Sequence, residues 1–231
     1  ASSALQSTDN VLKGTYGAAN VFDQNFSTAW VEGKKGEGIG EALFFMLPEG
    51  TTRLNIMNGY SKNKNLYYKN NRARSVKLSF YAGINPEGFV SEIAAIYKSV
   101  LYSQEFTITL ADTCTVQSFP IPLSWDEIHT FTKETLGSYS RDFDIPPADT
   151  AVIIKLEILQ VYKGSKWDDT CISEIFFNDV FLYNPLQEKY HTVDSVYVND
   201  AENAVVINTP QKKGIEFFNN PESVLQIIET S

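Results

Sequence analysis

Residues 151–161 read Ala-Val-Ile-Ile-Lys-Leu-Glu-Ile-Leu-Gln-Val, and the reading of this stretch decides the fold class. Val152, Ile154, Leu156 and Ile158 fall on one face, while Lys155 and Glu157 share the other with Ile153 and Leu159. Alternation with period two lets a strand lay one face on a core and turn the other, more polar face to water. Shorter runs of the same kind occur at 42–47, 53–58, 75–81, 105–110 and 171–183. Turn signals separate them: Pro48-Glu-Gly50, Asn85-Pro86-Glu-Gly88, Tyr162-Lys-Gly164 and Asn178-Asp179. Many short strands with polar turns and no regular βαβ alternation predict an all-β sandwich of the jelly-roll kind.

One or two short helices interrupt this pattern. Ser124-Trp-Asp-Glu127 fits the Ser-x-x-Glu capping box and precedes DEIHTFTKETL, so a helix is expected there. Val90, Ile93, Ala94, Tyr97, Val100 and Leu101 also recur at helical spacing, although their β-branched and aromatic content suits a strand pair as well. Past Pro185 the character shifts. Residues 192–231 hold short apolar runs (VDSVYV, AVVINT, GIEFF and VLQII) separated by Asn, Asp, Pro and Gly. The expected organisation is a jelly roll over 1–185 and a small C-terminal β-meander over 186–231, an annex that could dock on the first domain.

Composition narrows the function. The 231 residues are enough to bury a full core, and 43% hydrophobic with 13% aromatic content is that of a globular chain. Phosphate backbones and anionic lipid are held by cationic side chains, so a formal charge of −9 argues against nucleic acid or a lipid surface as partner. No stretch approaches the roughly 20 apolar residues of a membrane-spanning helix. The small, polar residues 1–10 read as the start of a mature or trimmed chain. Cys114 and Cys171 could be bridged in an exported protein, which would contribute roughly 4 kcal/mol, or remain thiols.

Catalytic patterns are missing from the sequence. The Gly33-Lys-Lys-Gly36-Glu-Gly38-Ile-Gly40 stretch has neither the spacing nor the following helix of a nucleotide loop. His129 and His191 lie in no recognisable setting, and no GxSxG elbow accompanies them. Asp168 and Asp169, adjacent in a Lys-Trp-Asp-Asp-Thr loop, read as turn formers or cation ligands before they read as an acid–base pair. The expectation is a protein that is not an enzyme.

The chemically informative segment is Val21-Phe-Asp23-Gln-Asn25-Phe-Ser-Thr28-Ala-Trp30. Asp23, Asn25 and Thr28 place three oxygen-bearing side chains within six residues, either as an Asx-rich turn or as part of the oxygen cage that calcium requires. This run resembles the Asp-Gly-Asn-x-x-Thr-x-Trp signature of discoidin domains, the coagulation-factor C-type, galactose-binding-like jelly rolls. Asp169-Thr-Cys171-Ile-Ser-Glu174-Ile175 resembles the family's late strand carrying Ser-Glu-Ile. Trp30-Val-Glu-Gly33, Gly38-Ile-Gly-Glu41, Asn58-Gly-Tyr60, Asn70-Asn-Arg72 and Val161-Tyr-Lys-Gly164 are similar to the variant named for the translocation domain of secreted bacterial NAD glycohydrolases. The resemblance covers roughly residues 15–183.

It implies a jelly roll with loops gathered at one end and a structural calcium held by Asp23, Asn25, Thr28 and Glu174, with Trp30 in the core. Gln24 stands where the family has Gly, so a positive φ there would strain or rearrange the turn. Glycan binding in the family uses loop tips. The corresponding candidates are Tyr60, Lys62, Tyr67, Arg72 and Trp167; alternatively, the tyrosines pack under the loop and Arg72 pairs with a carboxylate. The resemblance implies a non-catalytic binding module of an exported bacterial protein, secreted or anchored at the cell surface as a lipoprotein would be, and recognising a glycan or a host surface protein. The alternative is an accessory domain that docks or delivers a partner enzyme.

Overall fold

The computed structural model describes residues 1–6, 15–90 and 95–178, together with the backbone of three strands at 195–199, 204–208 and 215–218. The chain divides into two compact units, Ala1–Asn178 and Asp179–Ser231. The expected boundary at 185 lies outside the described residues.

In the first unit, a short 3-10 helix (Ala18–Phe22) leads into β1 (Trp30–Val31), β2 (Ala42–Met46), β3 (Arg53–Asn58), α1 (Lys64–Lys69) and β4 (Asn71–Pro86). There follow β5 (Lys98–Thr109), β6 (Val116–Pro120), α2 (Trp125–Asp142), β7 (Pro147–Tyr162) and β8 (Thr170–Phe177). A strand has only two edges, yet β4 pairs with β5, β7 and β8. It runs antiparallel to β7 along one edge and to β5, from Ser75↔Thr109 onward, along the other. Before β5 begins, that second edge meets β8 in parallel at Asn71↔Thr170 and Arg72↔Cys171. The register of β4 against β7 shifts between Ala73 and Ser75, the corner at which β4 passes from one layer to the other.

The result is two four-stranded layers, β2-β7-β4-β5 and β6-β3-β8-β1. Leu43, Phe45, Val76, Leu78, Phe80, Ile154, Leu156 and Ile158 from the first layer bury against Leu54, Ile56, Trp30, Ile172 and Ile175 from the second. This is the jelly-roll sandwich that the alternation in 151–161 predicts. On the opposite face of β7, Lys155 and Glu157 join Lys77 of β4 in an ion-paired cluster.

The helix at Ser124 forms as expected but runs longer, over 18 residues. Ser124 Oγ accepts from the Glu127 amide while the Glu127 carboxylate accepts from the Ser124 amide, so both halves of the capping box are made. Of the two readings open for 90–101, a helix or a strand pair, the strand is the one that forms from Lys98 onward. Lys98 already belongs to β5, and Val90 bridges Ala95, with 91–94 outside the described residues. The open edge of β4 gives this β-branched and aromatic stretch a ladder, and that outweighs a weak helical period. The short helix is α1 instead, started by Asn63, whose side chain accepts from the Leu66 amide.

In the second unit, β9 (Ser195–Asn199), β10 (Ala204–Asn208) and β11 (Ile215–Phe218) pair in sequence as an antiparallel meander. The VLQII run lies outside the described residues.

Candidate functional site

Two places bring the sequence candidates together. The first is the turn between the 3-10 helix and β1. Asp23 Oδ1 accepts from the Asn25 amide at 2.9 Å, and Asp23 Oδ2 accepts from the Thr28 hydroxyl at 2.7 Å. The Asn25 amide also donates to Glu174 Oε2 at 3.0 Å, across 149 residues of chain. Asp23, Asn25, Thr28 and Glu174 are therefore neighbours. Gln24 takes φ 59°, so the position that resembles a family glycine does adopt the left-handed conformation.

Glu174 is almost fully buried. Burial first, and the charge of Asp23 in addition, push its carboxyl up to about 7. The donor chemistry is that of a hard cation: two carboxylates with the amide oxygen of Asn25 and the hydroxyl of Thr28. Among the described residues no group of three or more His, Cys, Asp or Glu comes together, so an ion here would rest on two carboxylates and neutral oxygens.

The second place is the loop end around α1. Loop 163–168 is tied to α1 by main-chain bonds: Ser165 donates to the Tyr68 carbonyl, and Lys166 and Trp167 to that of Lys69. Asn71 holds both ends of that loop, its Nδ2 donating to the Asp168 carbonyl and its Oδ1 accepting from the Gly164 amide. Arg72 lies beneath. Its Nε and Nη2 donate to Asp112 at 3.0 and 2.7 Å, and its Nη1 donates to the carbonyls of Asn70 and Lys163. The guanidinium sits 5.3 Å from the Tyr67 ring centroid and 5.5 Å from that of Tyr68.

Two candidates thereby change role. Tyr67 is completely buried and Arg72 nearly so, which leaves neither a free face for a ligand. Burial, helped by the Asp112 charge, raises the Tyr67 phenol far above its ordinary value. A guanidinium this deep needs a full set of acceptors, and Asp112 with two carbonyls supplies them. Gly59 allows this packing: with φ +71°, any Cβ would lie 2.6 Å from the Tyr67 ring and 2.7 Å from Arg72. Asp112 escaped the sequence reading because it stands in an Ala-Asp-Thr turn with no periodic signal.

Tyr60 is half-buried against Ala29, Val31 and Cys171, and burial raises its phenol. Lys62 is exposed, and Trp167 is half-buried with Lys166 Nζ 4.4 Å from its ring centroid. These three remain at the surface, joined by exposed Tyr68, which the sequence did not single out. Trp30 is core, its indole donating to the Ser3 carbonyl. Cys114 and Cys171 are both free thiols, so the disulfide option is not taken. Among the described residues no helix is long and apolar enough to cross a membrane.

Comparison with known proteins bears on the whole first unit. No curated protein matches the chain. One solved structure that does, a truncated AlyQ with CBM32 and alginate lyase domains, is 12% identical over 82% of this chain and 43% of its own, at a TM-score of 0.29. The chain thus spans less than half of that protein, and a likeness so distant carries no argument. The family described as the NAD glycohydrolase translocation F5/8 type C domain matches residues 1–178, coextensive with the sandwich. The chain belongs to that family.

Proposed function

We propose that this chain is a non-catalytic recognition module of an exported bacterial protein, binding a glycan at the α1 loop end in the service of a partner enzyme. The observation that carries the reading is the anchoring of that loop end. Asn71 and Arg72 fix loop 163–168 from below, and the Gly59 and Ser61 amides bond the Cys171 carbonyl and the Ser173 hydroxyl, so Trp167 and Tyr60 stand on backbone that needs little ordering when a ligand arrives, with Lys62 next in the chain. Aromatic faces with hydrogen-bonding side chains beside them suit sugar rings and their hydroxyls. Membership of the translocation-domain family supports the exported setting and the partner enzyme.

Calcium at Asp23, Asn25, Thr28 and Glu174 belongs to this proposal as a structural ion. It would tie the turn before β1 to β8 and compensate the buried Glu174 charge. A glycan array probed with the full chain tests the recognition reading. Signals that are lost in Trp167→Ala and Tyr60→Ala, with unfolding temperatures kept close to that of the parent, support it. Signals that survive both substitutions together overturn the loop-end site.

A further inference from the structure

We infer that the glycan bound at the α1 loop end is acidic, bearing carboxylate or sulfate groups. This rests on the recognition reading above and specifies its ligand class. The chain is strongly acidic overall, with 28 Asp and Glu against 19 Lys and Arg, yet residues 51–86 contain no Asp or Glu. That window holds Arg53, Lys62, Lys64, Lys69, Arg72, Arg74 and Lys77.

The fold uses some of these cations internally and leaves others free. Arg72 is paired with Asp112, Lys77 with Glu105 and Glu157, and Arg53 bonds the Ser118 hydroxyl. Arg74 lies over the Tyr162 ring. Lys62, Lys64 and Lys69 have no carboxylate partner among the described residues. They flank α1 on both sides of its Asn63 cap and at its last turn.

Lys166 joins them, because its amide and that of Trp167 are bonded to the Lys69 carbonyl. Lys163 at the other side of the loop is already neutralised by Glu37 at 2.6 Å. Lys62, Lys64 and Lys69 on the α1 segment and Lys166 on the loop bonded to it thus outnumber the exposed Asp168 of that loop, a local excess of positive charge on an anionic molecule. Like charges held together repel, and a ligand carrying the opposite sign relieves that repulsion.

The chemistry favours an acidic glycan over the other polyanions. Four lysines contribute about 1 kcal/mol each against an anionic bilayer, too little for stable adsorption of a chain at −9. Trp167, half-buried with Lys166 Nζ 4.4 Å from its ring centroid, sets an aromatic surface beside an ammonium group, a pairing that suits a sugar ring bearing an acidic substituent better than a phosphate-dominated contact.

The test measures affinity of the full chain for four probes at low and high salt. These are a heparin-derived hexasaccharide, its desulfated N-acetylated counterpart, an oligo-dT of matched charge and phosphatidylserine vesicles. The expected result is at least tenfold tighter binding of the sulfated than of the neutral oligosaccharide. Tenfold or greater loss is expected when Lys62, Lys64 and Lys69 are changed together to Gln, and in Trp167→Ala. A control with Lys98→Gln and Lys133→Gln should keep its affinity. Lys166→Gln supplies an independent reading should the triple variant fold poorly. Equal binding of the sulfated and neutral probes overturns the acidic class while leaving glycan recognition standing. Binding of neither overturns both. Oligo-dT or vesicles bound as tightly as the hexasaccharide would show a general polyanion surface and overturn the glycan assignment.

Discussion

Gln24 and Glu174 carry the physical tension of the turn before β1. A non-glycine residue at positive φ costs roughly 1–2 kcal/mol, of which a glycine would recover part while adding chain entropy to the unfolded state. Gln24→Gly should therefore stabilise the protein by about 0.5–1 kcal/mol, measurable by denaturant unfolding with an unchanged slope. Glu174 is neutral in the fold up to about pH 7, whereas its ordinary value is 4.5. Between those two values the unfolded chain binds fewer protons than the folded one, so stability falls as pH rises. Its contribution is complete below about pH 4.5 and lost above about 7. In chelator, the unfolding midpoint should decline across that window, and Glu174→Gln should flatten the decline. A parallel decline in the variant would assign the slope to other groups. At this scale the sequence disclosed Asp23, Asn25 and Thr28 through their spacing, but the burial that raises Glu174 depends on which strand faces the turn.

Among the elements, α2 was legible because its start is written locally in Ser124 and Glu127. Ser124→Ala removes the oxygen that accepts the Glu127 amide and should cost about 1 kcal/mol. Circular dichroism should show the loss as fraying of one helix with the β signal retained. α1 was not legible, because six residues carry no readable period and the Asn63 cap resembles any turn asparagine. The stretch at 90–101 stayed open between a helix and a strand pair for the converse reason. Its spacing satisfied a helix, but Ile84↔Lys98, Ala82↔Val100 and Tyr81↔Leu101 pairing gave it a partner that only the folded β4 offers. Arg72 and Tyr67 show the same dependence: both are polar enough to read as ligand-binding, and both are consumed in positioning the loop end.

Across the whole molecule, the proposed ion would connect residues 149 apart in sequence, Asn25 and Glu174. An ion that binds only the native state stabilises it by about 2.7 kcal/mol at 100 times its dissociation constant. Thermal unfolding in EDTA and then with calcium should show an upward shift in the parent, and none in Asp23→Ala with Glu174→Ala. An equal response in both would remove calcium from this turn.

The sequence by itself determined the all-β class, the capping box and the composition of the turn before β1, since period-two alternation and local hydrogen bonding act within a few residues. Its run of motifs was also enough to point to the translocation-domain family. Tertiary structure alone decided that β4 bridges two layers, that Asp112 neutralises Arg72, and that the cysteines stay apart. It also decided which lysines remain unpaired at the α1 rim. Each of these depends on long-range pairing and on desolvation, and neither is set by the residues adjacent in the chain.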